Sequence, residues 1–338
     1  MSQSTPVALV VFNRPHLTEQ TLAAIRAAAP QRLFVIADGP REDRPDDEEL
    51  CARTRALIDT VDWPCEVHRR FAPRNLGLEA NVELGLDWVF AQTDAAIVLE
   101  DDCHPDPSFF PYVEELLERY RDDPRIWQVS GSGMGVPERL FAGDSYAFTA
   151  WASVWGWATW ADRWQRHRAI FTRDHAPSDA PVRTLAATQQ PGHLVTRSGQ
   201  QHFADAAQSG DTVIHGWDKH WWLTMLTLGG LALSPSRNLV ENVGWGEDAT
   251  HGAAAGKRDH GAGAMDFPLR HPAEVAVNVE VERELELVLS RVGGRAAMFA
   301  RRFVKSPQVR RVARVAVNSR PAQAVQRFVS RSRDRVAS

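Results

Sequence analysis

The sequence predicts an α/β protein built on a parallel sheet, and three observations carry that expectation. Apolar runs such as Ala95-Ala96-Ile97-Val98-Leu99 contain no turn former and are too continuous for a strand with one wet face, so they fit a sheet covered on both sides. Helical patterns alternate with these runs over residues 7–130, the order that parallel strands require. The composition, 43% hydrophobic and 24% charged in 338 residues, is that of a soluble globular chain with room for one large domain or two ordinary ones.

Val7-Ala8-Leu9-Val10-Val11-Phe12 opens the chain as a buried strand. Asn13-Arg14-Pro15 breaks it, and Leu17, Thr21, Leu22 and Ile25 follow at helical spacing, with Pro15 suited to the first turn. Such a turn sets Arg14 beside free helix N–H groups, where either a phosphate or a local ion pair satisfies it. Leu33-Phe34-Val35-Ile36-Ala37 is the second strand. Asp38-Gly39-Pro40 turns away at its end, as an ordinary turn or as a place where backbone approaches a ligand. Residues 45–61 read as an exposed helix, and Cys65-Glu66-Val67-His68-Arg69 as a short strand. Arg74-Asn75-Leu76-Gly77 then leads into a helix with Leu78, Val82, Leu86, Val89 and Phe90 on one face.

The strand at 95–99 ends in Glu100-Asp101-Asp102, three carboxylates with no basic neighbour in sequence. Two unpaired carboxylates a few Å apart repel by about 3–4 kcal/mol at an effective dielectric near 20. A divalent cation is the simplest offset; an acidic loop in water is the alternative. Ligands of open α/β sheets bind at the carboxyl ends of the strands, which is where this triplet falls. A helix over 105–120 and a strand over 126–130 follow, with a glycine-rich loop at 131–135.

The middle of the chain is aromatic. Twelve Trp stand against three Tyr, and many cluster in 151–164 and 217–222. Each indole taken singly fits a core, while the cluster beside small residues also suits stacking on the C–H face of a sugar. Residues 172–198 are polar and proline-interrupted, and 203–209 return to helix. The segment beginning Trp217-Asp218-Lys219-His220 is a further helix with Asp218 in its first turn, facing a pocket or capping its own helix. Short strands are expected at 231–233 and 238–241. The Gly/Ala-rich stretch to residue 264 reads as a loop, able to close over a ligand, with His251 a metal or phosphate ligand within it.

From Arg291 onward thirteen Lys and Arg stand against one acid, so this tail carries +12 and the rest of the chain −16 of the formal −4. Val292, Ala296, Phe299 and Phe303 make an apolar stripe among the arginines, the pattern of a helix at an anionic membrane surface or of a solvated tail. Nucleic acid is not expected, since no recognition module accompanies the charge. Three sparse cysteines and the absence of a leader pattern or bilayer-length apolar run lead to the expectation of a cytoplasmic protein. Neither a dinucleotide fingerprint nor a P-loop is present, and no Gly-x-Ser-x-Gly elbow marks a hydrolase.

Residues 1–270 resemble a bacterial glycosyltransferase of the GT-A fold, in particular the sugar-transferase-like, hemolysin-related family, and more distantly the Golgi N-acetylglucosaminyltransferase I. The resemblance rests on ordered segments: Phe12-Asn13-Arg14-Pro15, Ile36-Ala37-Asp38-Gly39-Pro40, Arg74-Asn75-Leu76-Gly77, Leu99-Glu100-Asp101-Asp102, Trp155-Gly156-Trp157-Ala158-Thr159-Trp160, Trp217-Asp218 and Gly246-Glu247-Asp248-Ala249-Thr250-His251. It implies a Rossmann-like fold with a mixed, mostly parallel central sheet over 1–275, a nucleotide-sugar-binding half at 1–135 and an acceptor-side half at 136–275. The basic helical tail at 280–338 lies outside the resemblance.

The resemblance also assigns roles. Asp102 would coordinate Mn²⁺ or Mg²⁺, with His251 on the closing loop. Glu100 and Asp101 would face donor hydroxyls. Phe12, Arg14 and Asp38 would lie on the nucleotide side, Arg14 toward phosphate or ribose and Asp38 toward the uracil edge, with Arg74 and Asn75 nearby. Trp157 and Trp217 would line the donor site, and Asp218 would be the general base. The implied activity is inverting transfer from a UDP-sugar to a glycan or lipid-linked acceptor. A non-catalytic nucleotide-sugar-binding protein of the same fold and a retaining transferase are the alternatives.

Overall fold

The structure is a computed structural model that describes residues 4–170, 216–244 and 261–292, with the backbone alone for 289–292. The expected excursion at 172–198, the helix at 203–209, the loop carrying His251 and the basic tail beyond residue 292 lie outside the described residues.

The chain alternates β1 (Val7–Val11), α1 (Pro15–Ala28), β2 (Arg32–Ala37), α2 (Asp46–Ala56), β3 (Glu66–Phe71), α3 (Leu78–Phe90) and β4 (Ala95–Glu100). It continues through β5 (Cys103–Pro105), α4 (Phe109–Arg119), β6 (Ile126–Ser130), β7 (Tyr146–Thr149), β8 (Trp157–Trp160) and α5 (Ala161–Ile170). After the undescribed segment come α6 (Trp217–Thr227), β9 (Leu231–Pro235), β10 (Val240–Asn242) and α7 (Val279–Val292). Eight strands form one sheet in the order β3-β2-β1-β4-β8-β6-β9-β7. Strands β3, β2, β1 and β4 are parallel, β8 is antiparallel to both β4 and β6, β9 is parallel to β6, and β7 is antiparallel to β9. The architecture is therefore α/β with a mixed, mostly parallel sheet, as the sequence predicts.

The apolar runs are explained by burial on both faces. In β1, Ala8 and Val10 join a core shared with α3, α5 and α6, while Val7, Leu9 and Val11 join one shared with α1 and α4. Every residue of β1 is buried, so no polar alternation is possible along it. Each fully buried Val or Leu in these strands contributes about 1.5–3 kcal/mol, which fixes the register against slippage.

Three features depart from the sequence reading. Residues 157–160, to which the sequence reading assigns no element, form a strand, and 161–170 continue as a helix. The helix expected over 105–120 starts at Phe109, because 103–105 pair with β10 as a separate two-stranded ribbon. Finally, α7 begins at Val279, and Val281 and Leu285 pack into the core, so this helix belongs to the folded body and precedes the basic tail. Among the described residues no helix is long and apolar enough to cross a membrane.

Candidate functional site

Strand order reverses at β1: β2 and β3 lie on one side of it and β4 on the other. The crevice outside the carboxyl ends of two such neighbours is a topological switch point, the usual ligand position in an open sheet. Here β1 ends in Phe12-Asn13-Arg14, and β4 ends in Glu100-Asp101-Asp102.

Arg14 is the counter-ion the triplet lacks in sequence. Its guanidinium donates to both oxygens of Asp101, and Nη2 lies 3.0 Å from Asp102 Oδ2. Asp101 is 3% exposed in its side chain and Asp102 12%, so the pairing is largely out of water. Burial pushes Asp101 up to about 6 even though Arg14 and the Phe12 N–H oppose the shift. Glu100 is held well above the usual carboxylate range by burial, then by Asp102 and Asp101, with Asp218 adding a smaller repulsion. That last influence places Asp218, across on α6, within electrostatic reach of the triplet.

The backbone around the triplet is fixed from both sides. Thr21 on α1 donates to the carbonyls of Asp101 and Cys103, at 2.8 and 3.3 Å. From the other side Val243 N–H donates to the Asp102 carbonyl at 2.9 Å, and Asn242 Nδ2 lies 3.4 Å from Asp102 Oδ1. Gly244 passes so close to the Asp102 carboxylate that a Cβ there would collide with it. Asn242 and Gly244 were not picked out by the sequence reading. Gly244 begins the visible glycine-rich stretch, but Asn242 reaches Asp102 only through the pairing of β10 with β5.

Asp38, at the end of β2, is 4% exposed. Its Oδ1 accepts from Gly39 N–H and Leu76 N–H, both at 2.8 Å, and Oδ2 accepts from Asn75 Nδ2 at 3.1 Å. Asn75 also donates to Gly39 O at 2.9 Å. Asp38 and Asn75 therefore lock the 74–77 loop onto the sheet edge, beside the switch point. Gly39 is required there, since a Cβ would lie 2.6 Å from the Arg74 backbone. Arg74 itself is exposed. Phe12 is half-buried, with the Arg41 guanidinium 5.2 Å over its ring; Arg41 is held by Asp47, which Asn13 also contacts at 2.7 Å. Asp47 is pulled down to about 2, chiefly by the Arg41 hydrogen bond.

The tryptophans sit differently from the expectation of an open sugar-stacking surface. Trp157 and Trp217 are 1% and 3% exposed and stack on each other with ring centroids 5.7 Å apart. Trp221 packs against Trp127, Trp157 and Trp164 at 5.3–5.7 Å and donates from Nε1 to Gln128 Oε1 at 2.7 Å. The faces a ligand would need are covered by other indoles, so Trp157 and Trp217 belong to the core. Each large ring gains more from a core than from a half-wet surface.

Asp218 is half-buried in the first turn of α6, whose N-cap is Gly216 with no side-chain cap, so Asp218 does not serve as the N-cap. Beside α6 lies a second polar group. Glu79, Glu83 and His220 have ligand atoms within 4.8 Å of one another, and in their donor types they could hold a metal ion. Both Glu83 oxygens are already engaged, however, by His220 Nδ1 at 3.0 Å and Arg168 Nη1 at 2.8 Å. His251 lies outside the described residues.

No protein-family model and no curated protein matches the chain. Among solved structures it is similar to a mannosyltransferase of Pyrobaculum calidifontis in complex with GDP-Man and Mn²⁺, at 15% identity and a TM-score of 0.37, over 67% of this chain and 70% of that one. It is also similar to a UTP-bound UGPase of Acinetobacter baumannii, at 14% identity and a TM-score of 0.30, over 49% of this chain and 78% of that one. A UDP-glucose pyrophosphorylase complexed with UDP-glucose matches at 10% identity and a TM-score of 0.29, over 49% of this chain and 80% of that one. At this level of likeness the activities of those proteins carry no argument about this one.

Proposed function

We propose that the protein is a metal-dependent, inverting glycosyltransferase of the GT-A type, moving a sugar from a UDP-sugar to a hydroxyl of a glycan or lipid-linked acceptor. One observation carries the reading: Arg14 and the Glu100-Asp101-Asp102 triplet meet at the switch point between β1 and β4, with Asp218 in reach. The ordered motifs that resemble the family supply the roles.

The donor set fits a hard divalent cation. Its atoms are carboxylate oxygens, and three carboxylates against one guanidinium leave negative charge in excess. Asp102 would hold Mn²⁺ or Mg²⁺, joined by His251. The bound ion would neutralise the donor's diphosphate and so stabilise UDP as leaving group. In this proposal Arg14 binds phosphate or ribose, and Phe12, Asp38, Arg74 and Asn75 shape the nucleoside side. Glu100 and Asp101 accept from sugar and ribose hydroxyls. Asp218 takes the acceptor's proton as its oxygen attacks the anomeric carbon from the face opposite UDP; the hydroxyl becomes acidic as the bond forms, so an ordinary carboxylate suffices.

The test is UDP release with Mn²⁺ across a panel of UDP-sugars. Asp218→Asn is expected to bind donor normally and to lose about 10²–10⁴-fold in transfer, the range of general-base catalysis. Absence of calorimetric binding of any nucleotide sugar, with or without metal, refutes the proposal. The basic tail is proposed to meet anionic lipid; flotation with anionic vesicles that survives truncation after residue 289 refutes that part.

A further inference from the structure

Helix α3 presents Glu79, Glu83 and Asp87 at i, i+4 and i+8, one stripe of like charge that is unfavourable on an isolated helix. Each carboxylate is satisfied by a different element. Glu79 Oε2 accepts from the Gly216 N–H at 2.8 Å, at the mouth of α6. Glu83 Oε1 meets His220 Nδ1 at 3.0 Å, one turn into α6, and its Oε2 meets Arg168 of α5 at 2.8 Å. Asp87 accepts from Arg168 Nε at 3.0 Å and from Trp164 Nε1 at 2.8 Å, both on α5. Glu83 and His220 are each 8% exposed in their side chains, so their geometry is held away from water.

Two of these contacts bracket Asp218, one two residues before it and one two residues after. The apolar face of α6, with Trp221, Leu223 and Met225 fully buried, binds the helix to the core. The body of the helix is fixed further by Trp221 Nε1 donating to Gln128 and by the 2.9 Å contact of Thr224 with His167. Hydrogen bonds at both ends of the first turn hold the segment that carries Asp218. Gly216 adds to the constraint: its φ is +117°, and a Cβ there would lie 2.6 Å from Asp218 Oδ1, so the first turn is shaped around that carboxylate.

We propose that Glu83 and His220, together with Glu79, are positioning residues that hold Asp218 in the first turn of α6. The inference rests on the reading of Asp218 as the base, and it explains why α3 keeps a stripe of carboxylates under α6 where apolar residues would pack as well.

The experiment uses the full chain and compares Glu83→Gln, His220→Phe, His220→Gln and Asp87→Asn with Asp218→Asn. It reads kcat and donor KM with the UDP-sugar turned over best, calorimetric binding of UDP with Mn²⁺, and hydrogen exchange in peptides covering 216–222. Glu83→Gln and His220→Phe are expected to lose about 10–100-fold in kcat, as a displacement of order 1 Å does. KM and UDP binding stay within about 3-fold, and exchange in the first turn of α6 accelerates. His220→Gln retains an N–H for Glu83 and is expected to keep most of the activity. Asp87→Asn, which alters the same α3 stripe but leaves the Glu83–His220 and Glu79–Gly216 contacts in place, lowers the melting temperature and leaves kcat within about 2-fold. Wild-type kcat and exchange in both Glu83→Gln and His220→Phe, beside an inactive Asp218→Asn, overturn the inference alone. A kcat loss as large in Asp87→Asn overturns it as well, by showing general loosening. Full activity in Asp218→Asn overturns the base reading and the inference with it.

Discussion

Replacing Arg14 by alanine removes the one cation that faces Asp101 and Asp102 among the described residues, and the cost depends on pH in a calculable way. Asp101 stands at about 6 in the folded protein against about 3.9 in an unfolded chain. Its folded value is raised, so its contribution is most favourable below pH 4 and is lost as pH climbs to 6. At pH 7.5 burial of the ionised group already costs about 3 kcal/mol. Without the guanidinium, Asp101 takes up a proton instead, which limits its cost at pH 7.5 to about 5 kcal/mol. Arg14→Ala is therefore expected to lose about 2 kcal/mol more at pH 7.5 than at pH 5, on top of a pH-independent packing loss of about 1 kcal/mol. Urea unfolding of both proteins at the two pH values measures this directly. An equal difference at pH 5 and 7.5 would refute the assignment of Arg14 as the counter-ion of a buried Asp101.

Three further outcomes are expected. Glu282 on α7 is fully buried, accepts from Ala150 N–H at 2.8 Å through Oε2, leaves Oε1 unpartnered and is pushed up to about 8 by desolvation. Its folded value is raised, so stability falls between about pH 4.5 and 8; relative to wild type, Glu282→Gln should gain about 4–5 kcal/mol between pH 4.5 and pH 9, by denaturant midpoints at both. Gly39→Ala pushes a methyl into the Arg74 backbone, which cannot yield as a flexible side chain does, and breaks the Asp38 bonds to Leu76 and Asn75. A loss of about 2–4 kcal/mol is expected from overpacking and orphaned acceptors, and a midpoint shift equivalent to under about 0.5 kcal/mol would show that the 74–77 loop is not locked to the sheet. Asp102→Ala should weaken Mn²⁺-dependent UDP binding about 10-fold or more while leaving metal-free UDP binding unchanged, by titration with and without EDTA.

Much of the sheet was readable because buried-on-both-faces strands announce themselves. Val7–Val11, Arg32–Ala37 and Ala95–Glu100 are, apart from the end residues Arg32 and Glu100, continuous apolar runs at nearly the observed boundaries, and Ile126–Ser130 was placed despite Gln128 and Ser130. Trp157–Trp160 was not readable, since two indoles three residues apart fit a core patch or a ligand surface equally well, and what makes them a strand is pairing with β4 and β6. In the site, the triplet was visible through its charge density. Its counter-ion was not, because Arg14 lies 87 residues away from Asp101 and only the adjacency of β1 and β4 joins them. The α3 carboxylates drew no comment in the sequence, because their partners lie on α5 and α6 and only the fold brings these together.

The position of β8 has a consequence for how the chain must be made. It is synthesised after β6, yet it lies between β4 and β6 and pairs with both. Until residue 160 has left the ribosome, β4 therefore has one open edge, Ala95–Glu100, which is apolar apart from its last residue. Such an edge is a template for pairing with another chain. A fragment cut at residue 135 would keep β1 to β6 but present that edge permanently. It should self-associate more than the full chain, and co-expression of residues 136–292 in trans, which restores the missing strand, should rescue its solubility.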